Sequence, residues 1–297
     1  MKRVNHLPVL IIAFNRFEIT KELFSSIREF SPSEIYYSID GPRIGNSEDK
    51  ITNNKLRNLI STVDWPCRIE TLFSEINKGS GIWPYESISW ALAQTPRLLI
   101  LEDDVRISKT FYDLSKYCLD KFEDNKRIFA ICASNIIDLH GDSESMMVNS
   151  SKYFSGWGWS TWADRWETYE FDIKKKNLLS FLTLLKSNNY NLFISLYFWL
   201  NFFKIKNNLL QAWDYQINYL LFTSQKLILK PDRNLSINLG TGNSATHTKS
   251  LPKINFNQEL SIEKNFKVNL ELDYRKEKLW RKSRLRFLIK SILLRFI

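Results

Sequence analysis

Short apolar runs alternate with helical patterns through the first half of the chain. Between the apolar runs, hydrophobic side chains recur about every 3.6 residues in two segments, from Ile19 to Phe30 and from Phe111 to Phe122. This alternation is typical of βαβ units and predicts an α/β fold with a largely parallel sheet. The predicted strands are Val9–Phe14, Ile35–Ile39, Arg68–Phe73, Leu98–Leu101 and Ile128–Cys132.

The regular alternation stops after about residue 135. A segment rich in Gly and Trp, Gly156–Trp166, is followed by a long apolar and aromatic region, Leu178–Phe203, which we predict to be helical. Within it, the run 192–203 is interpreted as a buried core helix. A further helix near Leu209–Phe222, a pair of strands and a polar segment, Asn238–Thr248, are predicted next. We expect one continuous domain over 1–248, with halves 1–135 and 136–248, and a separate tail over 249–297.

The composition is that of a globular protein. The chain has 297 residues, of which 44% are hydrophobic and 25% charged, and this excludes disorder of the whole chain. Its three cysteines form no CxxC pair, which argues against structural zinc and a disulfide framework and fits a reducing cytosol. The apolar run 7–14 is interpreted as a buried strand and not a signal peptide, because Asn15 and Arg16 follow it. No apolar run reaches the ~18–20 residues that span a bilayer.

The net charge of +10 is concentrated at the end of the chain. Nine of the 42 Lys and Arg residues and one of the 32 Asp and Glu residues lie from residue 275 on, so this tail carries +8 and the remainder +2. A nucleic-acid-binding domain would carry its charge on the folded face, and we therefore expect no nucleic acid partner. The tail has a helical apolar stripe with basic residues off it, which is typical of a helix lying on an anionic membrane. A helix packed on the domain, or a basic surface for RNA, is the alternative. The stripe consists of Leu285, Leu288, Ile289, Ile292 and Phe296.

Polar groups directly follow four of the predicted strands. In an open α/β sheet the ligand lies outside the carboxyl ends of the strands, so these groups are predicted to border one site. The four groups are Asn15-Arg16, Asp40-Gly41, Asn77–Gly79 and Glu102–Asp104. For the second and third groups, an ordinary turn is the alternative interpretation.

The last of these groups places three adjacent carboxylates after a buried strand. Burial of unpaired carboxylates is costly and like charges repel, so a divalent cation would relieve both effects. Mg²⁺ or Mn²⁺ prefers such oxygen ligands. The alternative is a solvated cluster that precedes the helix starting near Ser108.

The sequence LLILEDDV at 98–105 resembles the DXD element of glycosyltransferases of the GT-A fold. Gly156–Trp159 (GWGW), Trp213-Asp214 (WD), Pro231 and the segment 238–247, which contains TGNSATH, follow in the order seen in N-acetylglucosaminyltransferase I and its bacterial family-2-like relatives. The resemblance covers roughly residues 7–248. It implies a Rossmann-like mixed sheet flanked by helices with a helical C-terminal part, a nucleotide-sugar-binding half over 1–135 and an acceptor half over 136–248.

The resemblance also implies roles for the polar groups. Asp104 would bind the metal, with Glu102 and Asp103 contacting the ribose and the donor sugar. The first three groups would border the nucleotide: Asn15, Arg16 and Asp40 at the uridine, and Asn77 and Gly79 at the nucleotide and diphosphate.

Three further residues are candidates in the second half. Asp214 is the candidate base, at the flank of an apolar helical stripe where partial burial would raise its pKa; a plain surface or ion-paired Asp is the alternative. Trp157 is predicted to stack on the donor sugar, whereas Trp162 and Trp166, which continue a helical spacing from Trp159, are predicted to be structural. His247 is a candidate metal or diphosphate ligand, with a structural or merely exposed histidine as the alternative.

These inferences predict a metal-dependent, inverting glycosyltransferase. It would use Mn²⁺ or Mg²⁺ to move a sugar from a UDP-sugar to a hydroxyl of a glycan or lipid-linked saccharide in bacterial surface polysaccharide synthesis. We expect it in the cytoplasm, peripheral on the inner face of the cell membrane. A sugar-nucleotide pyrophosphorylase is one alternative, although the residues after the first strand are not the Gly-rich basic loop it needs. A scaffold associated with membrane or nucleic acid is the other.

Overall fold

The computed structural model describes residues 6–135, 146–173, 181–240, 266–272 and 274–293, with the side chains of 274 and 287–293 excluded. The strands are β1 Val9–Ala13, β2 Glu34–Ile39, β3 Arg68–Phe73, β4 Arg97–Glu102, β5 Val105–Ile107, β6 Ile128–Cys132, β7 Met146–Ser151, β8 Trp159–Trp162, β9 Leu227–Pro231, β10 Ser236–Asn238 and β11 Phe266–Asn269. The helices are α1 Phe17–Ile27, α2 Ser47–Arg57, α3 Gly79–Leu92, α4 Lys109–Lys121, α5 Ala163–Trp166, α6 Phe181–Ser187, α7 Leu192–Lys206, α8 Trp213–Ser224 and α9 Tyr274–Leu293, and a short 3₁₀ helix spans Asn58–Thr62.

Nine strands form one mixed, mostly parallel sheet flanked by helices, in the order β11-β7-β9-β6-β8-β4-β1-β2-β3. The strands β1, β2, β3 and β4 run parallel to one another. Every residue of β1 is buried, and its side chains alternate between two apolar clusters on the two faces of the sheet. Burial on both faces explains why this strand is a continuous apolar run. The predicted Rossmann-like α/β fold class and all five predicted strands are confirmed.

The strand β8 is the antiparallel member at the centre of the sheet. It pairs with β4 on one side and with β6 on the other. Gly158, just before it, has a φ of 75°, and a Cβ at this position would lie 2.6 Å from Cγ2 of Ile107, so only glycine fits. The helical spacing predicted from Trp159 onward is therefore wrong for 159–162. Trp162 and Trp166 are buried core residues, as expected.

The long helical region predicted over Leu178–Phe203 is two helices in the described residues from 181 on. The chain turns between α6 and α7, where Asn189 and Tyr190 adopt positive φ values of 52° and 58°. The prediction that 192–203 is a buried core helix is also wrong, because one side of α7 is exposed. Apolar residues occur on all sides of α7, so the sequence pattern does not distinguish its buried side from its exposed side.

Two further boundaries differ from the prediction. The helix expected from Leu209 begins at Trp213, and the two strands that follow it do not pair with each other. Instead β9 lies between β6 and β7, and β10 pairs with β5 in a separate two-stranded sheet.

A third apolar cluster joins α6, α7 and α8 to the C-terminal helix α9. Trp280 of α9 stacks on Tyr153 with ring centroids 3.9 Å apart and an interplanar angle of 6°. Arg284 donates from Nη2 to Oη of Tyr197 at 2.9 Å. The first half of α9 thus packs on the body of the protein, which was the alternative to a membrane-bound tail. Of the predicted tail stripe, only Leu285 has a described side chain. Among the described residues, no helix combines the length and apolar character needed to cross a bilayer.

Candidate functional site

Three carboxylates lie at the carboxyl end of β4, beside the end of β1. Glu102 is the last residue of β4, and Asp103 and Asp104 form the buried turn that leads into β5. Nη1 of Arg16 donates to Oδ1 of Asp103 at 3.0 Å and to Oδ2 of Asp104 at 2.6 Å. The backbone N–H of Phe14 adds a longer hydrogen bond to Asp103, at 3.4 Å. The structure therefore brings the first and fourth predicted groups together.

The ionisation of Glu102 and of Asp103 is strongly perturbed. Burial raises the pKa of Glu102 to about 8, and the charges of Asp104, Asp214 and Asp103 add to the rise. Burial also raises the pKa of Asp103 to about 6, against the opposing charge of Arg16. Desolvation by burial and repulsion between like charges are the physical causes, and the positive charge of a bound cation would oppose both. Perturbed groups of this kind are typical of functional sites.

The start of α8 contacts the same cluster from the second half of the chain. Nε1 of Trp213 donates to Oε1 of Glu102 at 3.2 Å. The neighbouring residue, Asp214, is partly exposed in the first turn of α8, and its charge contributes to the raised pKa of Glu102. Asp214 thus lies within electrostatic reach of the β4 carboxylates, 110 residues away along the chain.

Asp40, at the end of β2, organises the loop between β3 and α3. Its Oδ1 accepts from the backbone N–H of Lys78 at 2.9 Å, and its Oδ2 accepts from the backbone N–H of Gly79 at 2.9 Å. The Nδ2 of Asn77 also donates to Oδ2, at 3.1 Å. The second and third predicted groups therefore form one hydrogen-bonded unit. In this structure the Asp40 carboxylate holds the loop between β3 and α3 in place through these hydrogen bonds.

Asn15 is held by a pair of residues that the sequence reasoning missed. Its Nδ2 donates to Oδ1 of Asp49 in α2 at 3.0 Å. Asp49 is buried, and its hydrogen bonds from the side chain of Arg43 lower its pKa to about 2. Little in the sequence indicated this role for Asp49. It is one of two acidic residues in the first turn of a helix, where acidic residues commonly stabilise the helix.

One oxygen of the carboxylate cluster could serve as a metal ligand. Oδ1 of Asp104 is buried and accepts no hydrogen bond from the described residues, so one ligand position is available. Gly240 lies against the same side chain, because a Cβ there would come within 2.4 Å of Oδ2 of Asp104. Among the residues the structure describes, no group of three or more His, Cys, Asp or Glu side chains is arranged to hold a metal. His247, the predicted second ligand, lies outside the described residues.

Trp157 is the remaining predicted contact. It is half-buried and packs against the apolar cluster that contains β1 and β4. Trp213, by contrast, is the tryptophan that makes a direct hydrogen bond to the carboxylates. The loop 207–212 before α8 approaches the start of α3, where a Cβ on Gly81 would lie 3.2 Å from Cβ of Gln211. Gln211 is a further residue at this end of the sheet that the sequence did not indicate.

Comparisons with known proteins find only distant similarity. No protein-family model matches the chain, and no curated protein matches it. HddC from Yersinia pseudotuberculosis is 10% identical over 58% of this chain and 85% of its own, with a TM-score of 0.30. The 4-diphosphocytidyl-2C-methyl-D-erythritol synthase of Anaerococcus prevotii is 9% identical over 59% and 78%, with a TM-score of 0.32. A UDP-glucose pyrophosphorylase complexed with UDP-glucose is 8% identical over 77% and 90%, with a TM-score of 0.38.

The third of these proteins is named as a pyrophosphorylase, the enzyme class that was predicted from the sequence as an alternative. None of the three is named as a glycosyltransferase. Membership in the glycosyltransferase family that the sequence resembles is therefore not confirmed. At these identities and TM-scores the likeness supports no conclusion about the reaction, which has to be argued from the site itself.

Proposed function

We propose that this protein is a transferase that acts on a nucleotide sugar and moves the sugar from a UDP-sugar to a hydroxyl of a glycan or a lipid-linked saccharide. One observation carries the proposal: Arg16, the three β4 carboxylates and Trp213-Asp214 meet at the carboxyl end of the central strands. This is the end of an open α/β sheet where ligands bind. The cluster combines a cation, acidic groups and a separate carboxylate on a facing helix.

Each group has a task in this reaction. Asp214 accepts the proton of the acceptor hydroxyl as the new glycosidic bond forms, in a single inverting displacement. Arg16 stabilises negative charge on the departing diphosphate, while Asn15, Asp40, Asn77 and Gly79 border the nucleotide. Mn²⁺ or Mg²⁺ held by Asp104 would neutralise charge on the diphosphate. Glu102 and Asp103 contact the ribose and donor sugar, and Trp157 stacks on the sugar.

Nucleotidyl transfer, as in the pyrophosphorylases, is the competing reaction. It requires a basic, glycine-rich loop after the first strand to hold a triphosphate. Here only Phe14, Asn15 and Arg16 separate β1 from α1, and none of them is glycine. This short connection favours glycosyl transfer over nucleotidyl transfer.

The test is a product assay with a panel of nucleotide sugars and Mn²⁺. We expect release of UDP from one UDP-sugar, either by transfer or by slow hydrolysis, and no formation of UTP when pyrophosphate is supplied. Formation of UTP and a sugar phosphate would instead establish nucleotidyl transfer. Failure of every nucleotide sugar to react or bind would contradict both reactions.

Asp214→Asn tests the base directly. The variant keeps the size of the side chain but cannot accept a proton, so we expect transfer to fall by at least about 100-fold while UDP binding is retained. Asp104→Ala is the companion variant, and it should lose the dependence of UDP binding on Mn²⁺. Near-normal transfer by Asp214→Asn would exclude this residue as the base.

In a cell we place this activity in the synthesis of bacterial surface polysaccharide, at the inner face of the cell membrane. The support is the acceptor class of the family that the sequence resembles, together with the basic C-terminal helix. The membrane contact is argued from the structure below.

A further inference from the structure

One side of α7 is an exposed apolar surface. Its buried side chains, among them Ile194, Phe198 and Phe202, pack into the third apolar cluster. The opposite side carries five large apolar residues spaced along one face of the helix, each 41–64% exposed. We call these residues the α7 face: Leu192, Phe193, Leu196, Leu200 and Phe203. Contiguous exposed apolar surface of this kind marks an interaction site.

The helices around the α7 face are basic and almost free of acidic residues. Lys186 of α6 and Lys204 of α7 are exposed. Over the full bounds of α6, α7 and α9 there is a single carboxylate, Glu277, and it is only 5% exposed. The exposed charge of these helices is therefore entirely positive.

The helix α9 contacts α7 beside the α7 face. Arg284 of α9 donates a hydrogen bond to Tyr197, which precedes Phe198 on α7 and borders the exposed side. The outward side of α9 carries four exposed basic residues at spacings of three and four, which places them on one face of the helix. We call them the basic stripe: Arg275, Lys278, Lys282 and Arg286.

We propose that the α7 face and the basic stripe together bind the surface of an anionic lipid bilayer. The apolar side chains would enter the boundary between headgroups and acyl chains, and the lysines and arginines would contact the lipid phosphates. This pairing of apolar and basic surface is what an anionic interface binds. Here the inserting helix is α7, and the first half of α9 contributes charge.

Other partners fit these observations less well. A second copy of the chain docked through the same surface would bring two sets of basic residues together, with no exposed carboxylate on these helices to compensate them. A nucleic acid would use the positive charge but not five exposed Leu and Phe side chains. Charge complementarity and exposed apolar surface together therefore favour an anionic bilayer over a second copy of the chain or a nucleic acid.

Membrane binding through the α7 face would affect the proposed reaction, because α7 lies close in sequence to the candidate base. The chain passes from the end of α7 through residues 207–212 to the candidate base Asp214 at the start of α8. Docking through α7 would thus bring the acceptor side of the site close to the headgroups, where a lipid-linked acceptor is found. This consequence rests on the proposed function, whereas lipid binding itself does not.

The test is co-flotation of the purified full chain with phosphatidylcholine vesicles that contain or lack phosphatidylglycerol. We expect binding to the anionic vesicles, weakened but not abolished by high salt because the apolar contribution is not screened. The double variant Leu196→Glu/Leu200→Glu should bind at least about tenfold more weakly, since two apolar contacts are replaced by charges that the anionic surface repels. Ile51→Glu is the matched control, because Ile51 is 57% exposed on α2, and its binding should equal that of the wild type.

A second variant separates charge from apolar insertion. Lys278→Glu/Lys282→Glu should reduce the preference for anionic over neutral vesicles while leaving the α7 face intact. Unfolding curves of all variants confirm that the exposed substitutions leave the fold intact. The proposal is overturned if the wild type does not float with anionic vesicles, or if the α7 variant floats as well as the wild type. Self-association or RNA binding that the α7 variant alone abolishes, without vesicle binding, would assign the surface to that partner instead. UDP release without lipid remains a separate readout of the proposed function.

Discussion

At the scale of single residues, the raised pKa of Glu102 makes the stability of the protein depend on pH. The pKa rises from 4.5 to about 8 on folding. Below 4.5 the carboxyl is neutral in both the folded and the unfolded chain, whereas between 4.5 and 8 only the unfolded chain gains the benefit of ionisation. Glu102 therefore reduces the free energy of unfolding progressively as pH rises through this window.

Glu102→Gln removes this dependence. Measured in EDTA by urea unfolding, the variant should gain stability relative to the wild type as pH is raised from 5 to 8. Comparison at each pH cancels the titration of groups far from residue 102. A stability difference that does not change with pH would mean that folding does not raise the pKa of Glu102.

Asp49 provides a second prediction at this scale. Asp49→Ala removes the acceptor that holds Nδ2 of Asn15 and leaves Arg43 without its carboxylate partner. Because Asn15 borders the proposed nucleotide site, we expect weaker UDP binding, measured by calorimetry, with little change in the rate of transfer at saturating donor. Asn15→Ala is the control and should weaken binding to a similar extent. Normal UDP affinity in Asp49→Ala would contradict a positioning role.

The sequence indicated the residues after the strands but not their partners. Asp40 and Glu102 directly follow apolar runs, and Asn77 lies four residues after the end of β3. The geometry of a parallel sheet brings positions that follow its strands to one edge. Asp49 lies 34 residues from Asn15, and no local pattern connects the two. The hydrogen bond between Trp213 and Glu102 is likewise a product of tertiary packing alone.

At the scale of elements, the docking of α9 depends on Trp280. The ring is 8% exposed and stacks on the fully buried Tyr153. Trp280→Ala should cost about 3–5 kcal/mol of unfolding free energy, as expected for the loss of a large buried aromatic side chain. Leu279→Ala, at the neighbouring and 44% exposed position, should change it by no more than about 0.5 kcal/mol. Equal effects of the two variants, measured by urea denaturation, would show that α9 is not docked.

Strands were easier to predict than helices in this chain for a physical reason. A strand buried on both faces must be apolar throughout, so its bounds are visible in the sequence. The region 178–203 is also apolar almost throughout, but neither the turn at Asn189-Tyr190 nor the exposed side of α7 follows from composition. In a sequence, exposed leucines and phenylalanines cannot be distinguished from core residues, because only the tertiary packing shows which of them are buried.

At the scale of the whole molecule, ligand binding should be visible as stabilisation. A ligand that binds only the folded state at 100 times its dissociation constant adds about 2.7 kcal/mol. For a protein of this size, that raises the Tm by roughly 5 °C or more. We expect this shift from one UDP-sugar with Mn²⁺, and loss of its Mn²⁺-dependent part in Asp104→Ala. No shift with any nucleotide sugar would count against the proposed donor.

The overall α/β architecture was predictable because alternation of strands and helices leaves few arrangements for a sheet. The position of β8 was not predictable, since Trp159–Trp162 resembles a helical stripe as much as a strand. The sequence located the excess positive charge in the C-terminal tail, but not where that tail lies on the folded protein. Only the packing of α9 shows that its basic residues border an exposed apolar helix.

The central position of β8 also constrains the order in which the chain can fold. β4 and β6 are joined only through β8, so the sheet stays open until residues 159–162 have been synthesised and inserted between two strands formed earlier. Insertion of a late strand requires contacts that are distant in sequence, and these slow folding. In a nascent chain ending near residue 135, one edge of β4 and both edges of β6 would lack the partners they have in the described sheet, and unpaired edges are prone to aggregate. We therefore expect the halves 1–135 and 136–248 to fold as one unit, and a fragment that ends near residue 135 to be unstable.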